Sequence, residues 1–527
     1  MPGLDGKIIK ELDFKFALKR ILSDIGSDFI YAPYLNFIYT HAQDELIENL
    51  KIKLKSGKFE FTPPITINVP KKTRLTRPGS ILSPLDRLLY QSLTDYISSD
   101  IESNVNKQTV FSHRIIDDSE KMFEESSIAY SKYQSFIEQE VSNYEFAIKT
   151  DVSAYFETIN QHTLINSLRN FRIQPELLNI FESALGKWNE LSSRGILQGL
   201  FPSDLLGNFY LSVLDNYLDL EEIKYCRYVD DIIVFQKSLD DCYSTLVNIC
   251  EKLRLLSLTL NDQKTFCIKS SLLLHQETEF DSKFNEIREE LINLKYDEES
   301  FLRVNYGFQD NWDDYSEFRK DIEHDLEFNV SLVENLYSVR NEAKWQRDNI
   351  IKYCVPLLLH FKSALPLDSI NEEIINEPHL TKIFARYYST YERENEEVTL
   401  KLENLINSNK LIYDYQYLWL FSALIYRKTA TKKTLINAIK ILNNKNRHEA
   451  LRAICPIVIG KFGDGSQKKI LRDAYSAEIS TYVKASILYS TQYLTASERN
   501  ACRKAWGGHS EINLLLIRSF ENMKNNG

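Results

Sequence analysis

Glycine and proline are scarce, at 16 and 13 residues in a chain of 527. Glycine runs at under half its usual share of about 7%, which excludes a chain of short strands and tight turns and predicts long, mostly helical elements. No run approaches the roughly eighteen uninterrupted apolar residues of a membrane span. The opening Met-Pro-Gly-Leu-Asp-Gly-Lys lacks the charged and apolar regions of a signal peptide. The expectation is a cytoplasmic protein with no membrane partner. The cysteines, Cys226, Cys242, Cys250, Cys267, Cys354, Cys455 and Cys502, include no Cys-x-x-Cys pair, which argues against both a disulfide framework and a zinc site. The nine histidines show no ligand spacing. An excess of positive charge is also missing: the net charge is −10, a balance that does not suit coating long duplexes through a broad basic face. Any nucleic acid is handled locally.

The length predicts two domains of a few hundred residues or three smaller ones. Residues 1 to about 60 read as helices with tyrosine-rich joints, with Phe14, Phe16, Leu18 and Ile21 as an incomplete stripe and Tyr31, Tyr34 and Tyr39 just after it. From about 61 to 275, β-capable runs (Ile65–Val69, Phe146–Lys149, Tyr225–Phe235) alternate with helical ones (Leu85–Ile101, Leu205–Leu218), an α+β pattern. Beyond about 276, charge rises across Glu277–Glu299 and the pattern turns helical. Ile350, Ile351, Cys354, Leu357 and Leu358, then Leu418, Phe421, Leu424 and Ile425, carry the three-and-four spacing of amphipathic helices. Weak self-similarity links the surroundings of Ala450 to Ala485 and of Ala474 to Ala505, at offsets of 35 and 31 residues. Such spacing fits stacked helix pairs; a plain helical bundle is the alternative.

Chemistry concentrates in Cys-Arg-Tyr228-Val229-Asp230-Asp231-Ile-Ile-Val-Phe. Carboxylates are poor strand residues, and buried ones without partners cost several kcal/mol or lose their charge, so a pair in an apolar strand points to a divalent cation. A second short strand, Phe146-Ala-Ile-Lys-Thr, delivers Asp151, 79 residues before Asp230. Two strand-borne carboxylates gathered by a sheet are what two Mg²⁺ ions about 4 Å apart need for phosphoryl transfer. Between them, Gln198-Gly199-Leu-Phe-Pro202-Ser203 opens a helix, where Gly199 permits close backbone approach and free amides favour phosphate or a base edge. Basic residues cluster at Lys71, Lys72, Arg74 and Arg77.

The order and spacing of these segments resemble the reverse transcriptases, whose palm carries an aspartate strand, a Gln-Gly-x-x-Pro-Ser helix and a Tyr-x-Asp-Asp hairpin. The resemblance runs from about residue 61 to 270. It takes in Val69-Pro-Lys71-Lys72-Thr-Arg74-Leu-Thr-Arg77-Pro-Gly-Ser80, similar to the finger segment that grips the incoming triphosphate, and Leu258-Thr-Leu-Asn261-Asp-Gln-Lys264-Thr265, similar to the segment whose lysine lies near the leaving pyrophosphate. Carried over position by position, it implies Asp151 and Asp230 as the main metal ligands, with the Val152 carbonyl helping and Asp231 nearby. The ion would be Mg²⁺, with Mn²⁺ as the alternative. Phe156 falls where the family places a bulky sugar gate, implying deoxynucleoside triphosphates as substrates. Gln198 would line the nucleotide pocket, and Lys71, Lys72, Arg77 and Lys264 would meet its phosphates.

The family's primer-grip segment is not recognisable after Cys267, where the chain leads into a charged stretch. Palm motifs with no such grip and a large helical C-terminal half look like the bacterial abortive-infection polymerases of the AbiK and AbiA type, within the unknown-group reverse transcriptases. That resemblance implies a reverse-transcriptase fingers-palm domain over 1–275 and an all-α domain of HEAT-like helical repeats over 276–527. It also implies anti-phage defence, template-independent DNA synthesis, a DNA product grown from the protein itself, and a homo-oligomer. A tyrosine is the usual protein primer by chemistry, its phenol being the most acidic side-chain hydroxyl, and Tyr31, Tyr34 and Tyr39 are the candidates. The rival readings are a reverse transcriptase templated by a noncoding RNA and a catalytically vestigial helical scaffold.

Overall fold

The computed structural model describes residues 3–117, 119–189, 192–274, 326–342 and 347–525. The charge-rich stretch Glu277–Glu299 lies outside them. In chain order, the elements used below are hairpin strands β1 (Ile65–Pro70) and β2 (Thr76–Ile81), helices α1 (Pro84–Ser103) and α2 (Ser126–Val141), strand β3 (Phe146–Asp151), helices α3 (Phe201–Tyr210) and α4 (Ser212–Leu220), strands β4 (Tyr225–Tyr228) and β5 (Asp231–Gln236), helix α5 (Leu239–Leu255) and strand β6 (Phe266–Lys269). They continue with α6 (Arg347–His360), α7 (Thr381–Thr390), α8 (Asp414–Ile425), α9 (Glu449–Phe462), α10 (Thr481–Ser490) and α11 (Glu511–Asn525). The described residues fall into two compact units, one of 3–27, 49–63 and 85–274, the other of 28–48, 64–84 and those from 326 onward.

The first unit is built on an antiparallel sheet in the order β4-β5-β3-β6. Strand β5 is Asp-Ile-Ile-Val-Phe-Gln, β-branched and aromatic at its centre, and its four central residues are buried. Side chains alternate across the sheet. On one face Ala147, Cys226, Ile233 and Phe235 pack beneath Tyr133 and Ile137 of α2. On the other, Ile148, Tyr225, Arg227, Ile232 and Val234 are also buried. Helix α5 packs along β3, β5 and β6; it is opened by Ser238, whose hydroxyl accepts from the Asp241 amide at 3.1 Å, and closed by Lys252 and Arg254 in its last turn, matching the helix dipole at both ends. The apolar run Leu205–Leu218 is not one helix, because the chain breaks at Leu211 into α3 and α4.

The second unit holds hairpin β1–β2 and the C-terminal helices. Strand β2 escapes sequence reading because Pro78 and Gly79 sit inside it, yet Pro78 pairs with Asn68 in a two-stranded ladder that leaves an edge for proline. Gly79 is required by packing: a Cβ there would lie 2.6 Å from both Phe29 Cβ and Val69 Cγ2. Helices α7, α8, α9, α10 and α11 each pack on the next, and further helices (Glu396–Ile406, Lys432–Asn443, Gly465–Ala477, Ala496–Trp506) fall between them in sequence. Ala450 and Ala485 lie in α9 and α10, while Ala474 and Ala505 lie in two of the intervening helices.

Candidate active site

The turn joining β4 to β5 contains only Val229 and Asp230, since Tyr228 pairs directly with Asp231. In the neighbouring ladder Asp231 pairs with Asp151, the last residue of β3. Register alone therefore sets Asp151, Asp230 and Asp231 at one end of the sheet. Asp151 is 7% exposed. Burial, then the charges of Asp151 and Asp231, push the Asp230 carboxyl up to about 7, and Asp151 is near enough to share a hydrogen bond with it. Desolvation and the charge of Asp151 also raise Asp231, against the pull of Lys264 and Lys149. Crowded carboxylates in a dry setting demand positive charge. Lys264 supplies it, with Nζ 2.7 Å from Asp151 Oδ2, while Asn261 Nδ2 donates to the same oxygen at 3.3 Å. Partial burial works against the Lys264 cation, but the Asp151 hydrogen bond and the three carboxylates outweigh it and raise its pKa.

A two-residue hairpin needs positive φ at its first central residue, usually met by glycine or asparagine. Val229 meets it here, at φ 55°, a costly conformation for a β-branched side chain. A polar network surrounds this turn. The Val229 carbonyl accepts from Arg227 Nη1 at 2.8 Å and its amide donates to Ser112 Oγ at 2.7 Å. Arg227, wholly buried, also donates from Nε and Nη2 to Asp215 at 3.0 and 2.6 Å, from Nη1 to Asn208 Oδ1 at 2.9 Å and from Nη2 to the Asn208 carbonyl at 3.1 Å. These five bonds use every N–H of the guanidinium. Sequence reasoning missed the network, whose only visible signal is an arginine placed next to Tyr228 in an otherwise apolar strand.

His113 adjoins the network with backbone φ 51°. Its Nδ1 is buried without a hydrogen-bond partner among the described residues. Burial first, then the nearby Arg227 charge, hold its pKa down to about 4, below the ordinary value near 6.5. The folded state therefore binds fewer protons than the unfolded one between these values, so this contribution to stability is complete above pH 6.5 and is lost as pH falls toward 4. Thermal melts of the wild type should fall more steeply over that window than those of His113→Asn, a residue that tolerates positive φ; parallel curves would refute the assignment.

Phe156 is 9% exposed. A Cβ on Gly207 would lie 2.9 Å from its Cε1, so the glycine of α3 makes room for the ring, and Tyr155 OH donates to the Gly207 carbonyl. Gln198 is half-buried and Gly199 has φ 94° just before α3. The start of α3 corrects one expectation. The Phe201 amide donates to Asp24 Oδ2 at 3.2 Å, an oxygen already paired with Arg87 at 3.0 Å, and Ser203 is fully buried against Tyr90 OH at 2.9 Å. An internal carboxylate fills the place foreseen for phosphate.

Lys71, Lys72 and Arg77 belong to the second unit with the hairpin. Lys71 is exposed. Lys72 pairs with Asp348 of α6 at 3.2 Å, Arg74 donates to the Asn376 carbonyl at 3.2 Å, and Arg77 lies over the Phe29 ring at 4.7 Å. Tyr413 OH donates to the Arg74 carbonyl at 2.7 Å, and His448 Nε2 donates to the Thr66 carbonyl at 2.8 Å. The three N-terminal tyrosines are in the same unit. Tyr34 and Tyr39 are each 1% exposed, and burial raises the Tyr34 phenol far above its usual range. Tyr31 is half-buried, its hydroxyl bonded to that of Tyr426.

Residues 69–282 match the family described as reverse transcriptase (RNA-dependent DNA polymerase). The match makes the chain an enzyme of the nucleotidyltransferase class. More narrowly, it carries a reverse transcriptase domain over those residues. No curated protein matches the chain. Similar solved structures include the telomerase of Candida albicans with a TWJ fragment of telomeric RNA, at 13% identity and TM-score 0.29 over 66% of this chain and 66% of that one. Another is the apo telomerase of Candida tropicalis, at 12% identity and TM-score 0.29 over 90% of this chain and 72% of that one. Among the described residues no helix is long and apolar enough to cross a membrane, and no group of three or more His, Cys, Asp or Glu has a metal-holding arrangement. All seven cysteines are free.

Proposed function

We propose that the protein is a DNA polymerase that extends a strand from one of its own residues without copying a template, in the service of anti-phage defence. The observation that carries the polymerase reading is the register that sets Asp151 opposite Asp231 with Asp230 in the turn between β4 and β5. A divalent ion fits this donor set by chemistry, because Mg²⁺ keeps several waters and is held by one or two carboxylates plus substrate phosphates rather than in a closed protein cage. Asp151 and Asp230 would hold Mg²⁺ or Mn²⁺, with the Val152 carbonyl, which accepts no hydrogen bond from the described residues. The bound ion would lower the pKa of the attacking hydroxyl and neutralise the phosphates.

The chain's own residues supply the rest. Lys264, now on Asp151, would turn to the leaving pyrophosphate. Phe156, its ring fixed against Gly207 and Tyr155, would exclude a ribose 2′-hydroxyl, and Gln198 would meet the nucleotide. The family resemblance further assigns Lys71, Lys72 and Arg77 to the triphosphate. Synthesis without a template is supported by α2, which lies on the sheet face that bears Asp151 and Asp231 and packs Tyr130 and Tyr133 on Tyr228, at 5.4 and 5.7 Å between ring centroids. A duplex would have to share that face. Of the three candidate primers, Tyr31 alone retains appreciable exposure. The succession of helix pairs in the second unit supports a HEAT-like array, and the subfamily resemblance supports a homo-oligomer.

Purified, nuclease-treated protein given one labelled deoxynucleoside triphosphate at a time with Mg²⁺ or Mn²⁺ should become covalently labelled. Mass spectrometry of the peptides then locates the primer. Synthesis that ceases on ribonuclease treatment would replace this reading with an RNA-templated one, and no incorporation under any of these conditions would overturn it.

A further inference from the structure

The catalytic turn is held in a conformation its sequence disfavours, and the means of holding it are on the protein side of the site. Valine at φ 55° costs on the order of 1–3 kcal/mol and persists only where the surroundings over-determine it. Both polar groups of the Val229 peptide are engaged, the carbonyl by Arg227 and the amide by Ser112. Arg227 is in turn fixed by Asp215 of α4 and Asn208 of α3. Ser112 arrives on an extended segment beside β4, where the Arg227 amide donates to the Thr109 carbonyl at 2.8 Å and the Phe111 amide to the Arg227 carbonyl at 3.1 Å. Asn208 ties the two anchors together, donating to the Ser112 carbonyl at 2.9 Å.

We infer that Arg227 and Ser112 are positioning residues: together they latch Val229 in the left-handed conformation and so aim Asp230, the turn residue, at Asp151, beside the ladder-held Asp231. This rests on the polymerase reading above. Without the latch, Val229 relaxes to negative φ and the Asp230 carboxylate swings relative to β3, while Asp231 stays paired with Asp151. Lysine cannot replace Arg227, because its three donors on one nitrogen cannot span Asp215, Asn208 and Val229 together. Glycine at 229 has no preference against positive φ, so it removes the need for the latch.

The test is a double-mutant cycle in the full-length protein. Arg227→Lys and Ser112→Ala should each lower kcat about tenfold and leave KM for the deoxynucleotide within about twofold, as expected for a misplaced reacting group. In a Val229→Gly background the same two substitutions should change kcat less than about threefold. Arg227→Lys should also speed hydrogen exchange of the Val229 amide, a readout independent of activity. If Arg227→Lys does not fold, Ser112→Ala carries the cycle. Equal losses in the valine and glycine backgrounds, or full kcat in both single variants, would overturn the latch. Asp230→Asn separates the two claims: incorporation that survives it sinks the polymerase reading, whereas loss there with full activity in Arg227→Lys and Ser112→Ala sinks the latch alone.

Discussion

Asp230→Asn should reduce nucleotide incorporation by about a thousandfold or more while leaving the protein folded. The carboxyl sits in a two-residue turn, crowded by Asp151 and Asp231 and desolvated. An amide is nearly the same size but carries no charge for a cation, so the chemistry is lost. Stability should hold or rise slightly, since one of three mutually repelling groups is gone and Asp151 keeps its Lys264 partner at 2.7 Å. Incorporation assays beside a thermal melt check both halves. Activity within about tenfold of wild type would show that this carboxylate is not the one the reaction depends on.

Asp215→Ala should strongly destabilise the first unit. Arg227 and Asp215 have side chains 0% and 3% exposed and meet at 2.6 Å. Removing one partner strands a buried cation, at about 3–5 kcal/mol. Asp215→Asn should cost less, because an amide oxygen still accepts from the guanidinium. Denaturant unfolding followed by a probe in the first unit would read the difference. A loss below about 1 kcal/mol for the alanine variant would mean that water reaches Arg227 in solution.

Much of this site is legible in the sequence, and the reason is local. Asp151 ends an apolar run and Asp230 interrupts another, so a carboxylate where a strand should be apolar announces itself without any knowledge of partners. The helical stripes of the C-terminal half are legible for the same reason, as with Ile350, Ile351 and Cys354, all buried in α6. What the sequence hides depends on contacts remote in the chain. Nothing near Ser112 indicates that its hydroxyl receives the Val229 amide 117 residues later. Asp24 gives no sign that it will occupy the start of α3, 177 residues away. Strand β2 is hidden because Pro78 and Gly79 argue against a strand, and only the tight approach of Phe29 and Val69 explains why glycine is needed there.

Hairpin β1–β2 draws its neighbours from far down the polypeptide: Asp348 for Lys72, Asn376 and Tyr413 for Arg74, His448 for the backbone of Thr66. A fragment ending near residue 275 would carry the basic motif Lys71–Arg77 yet lack every one of these moorings. The helical half is thus part of the scaffold for that motif, and dissecting the gene at its apparent seam would change the very element the fragment was meant to isolate.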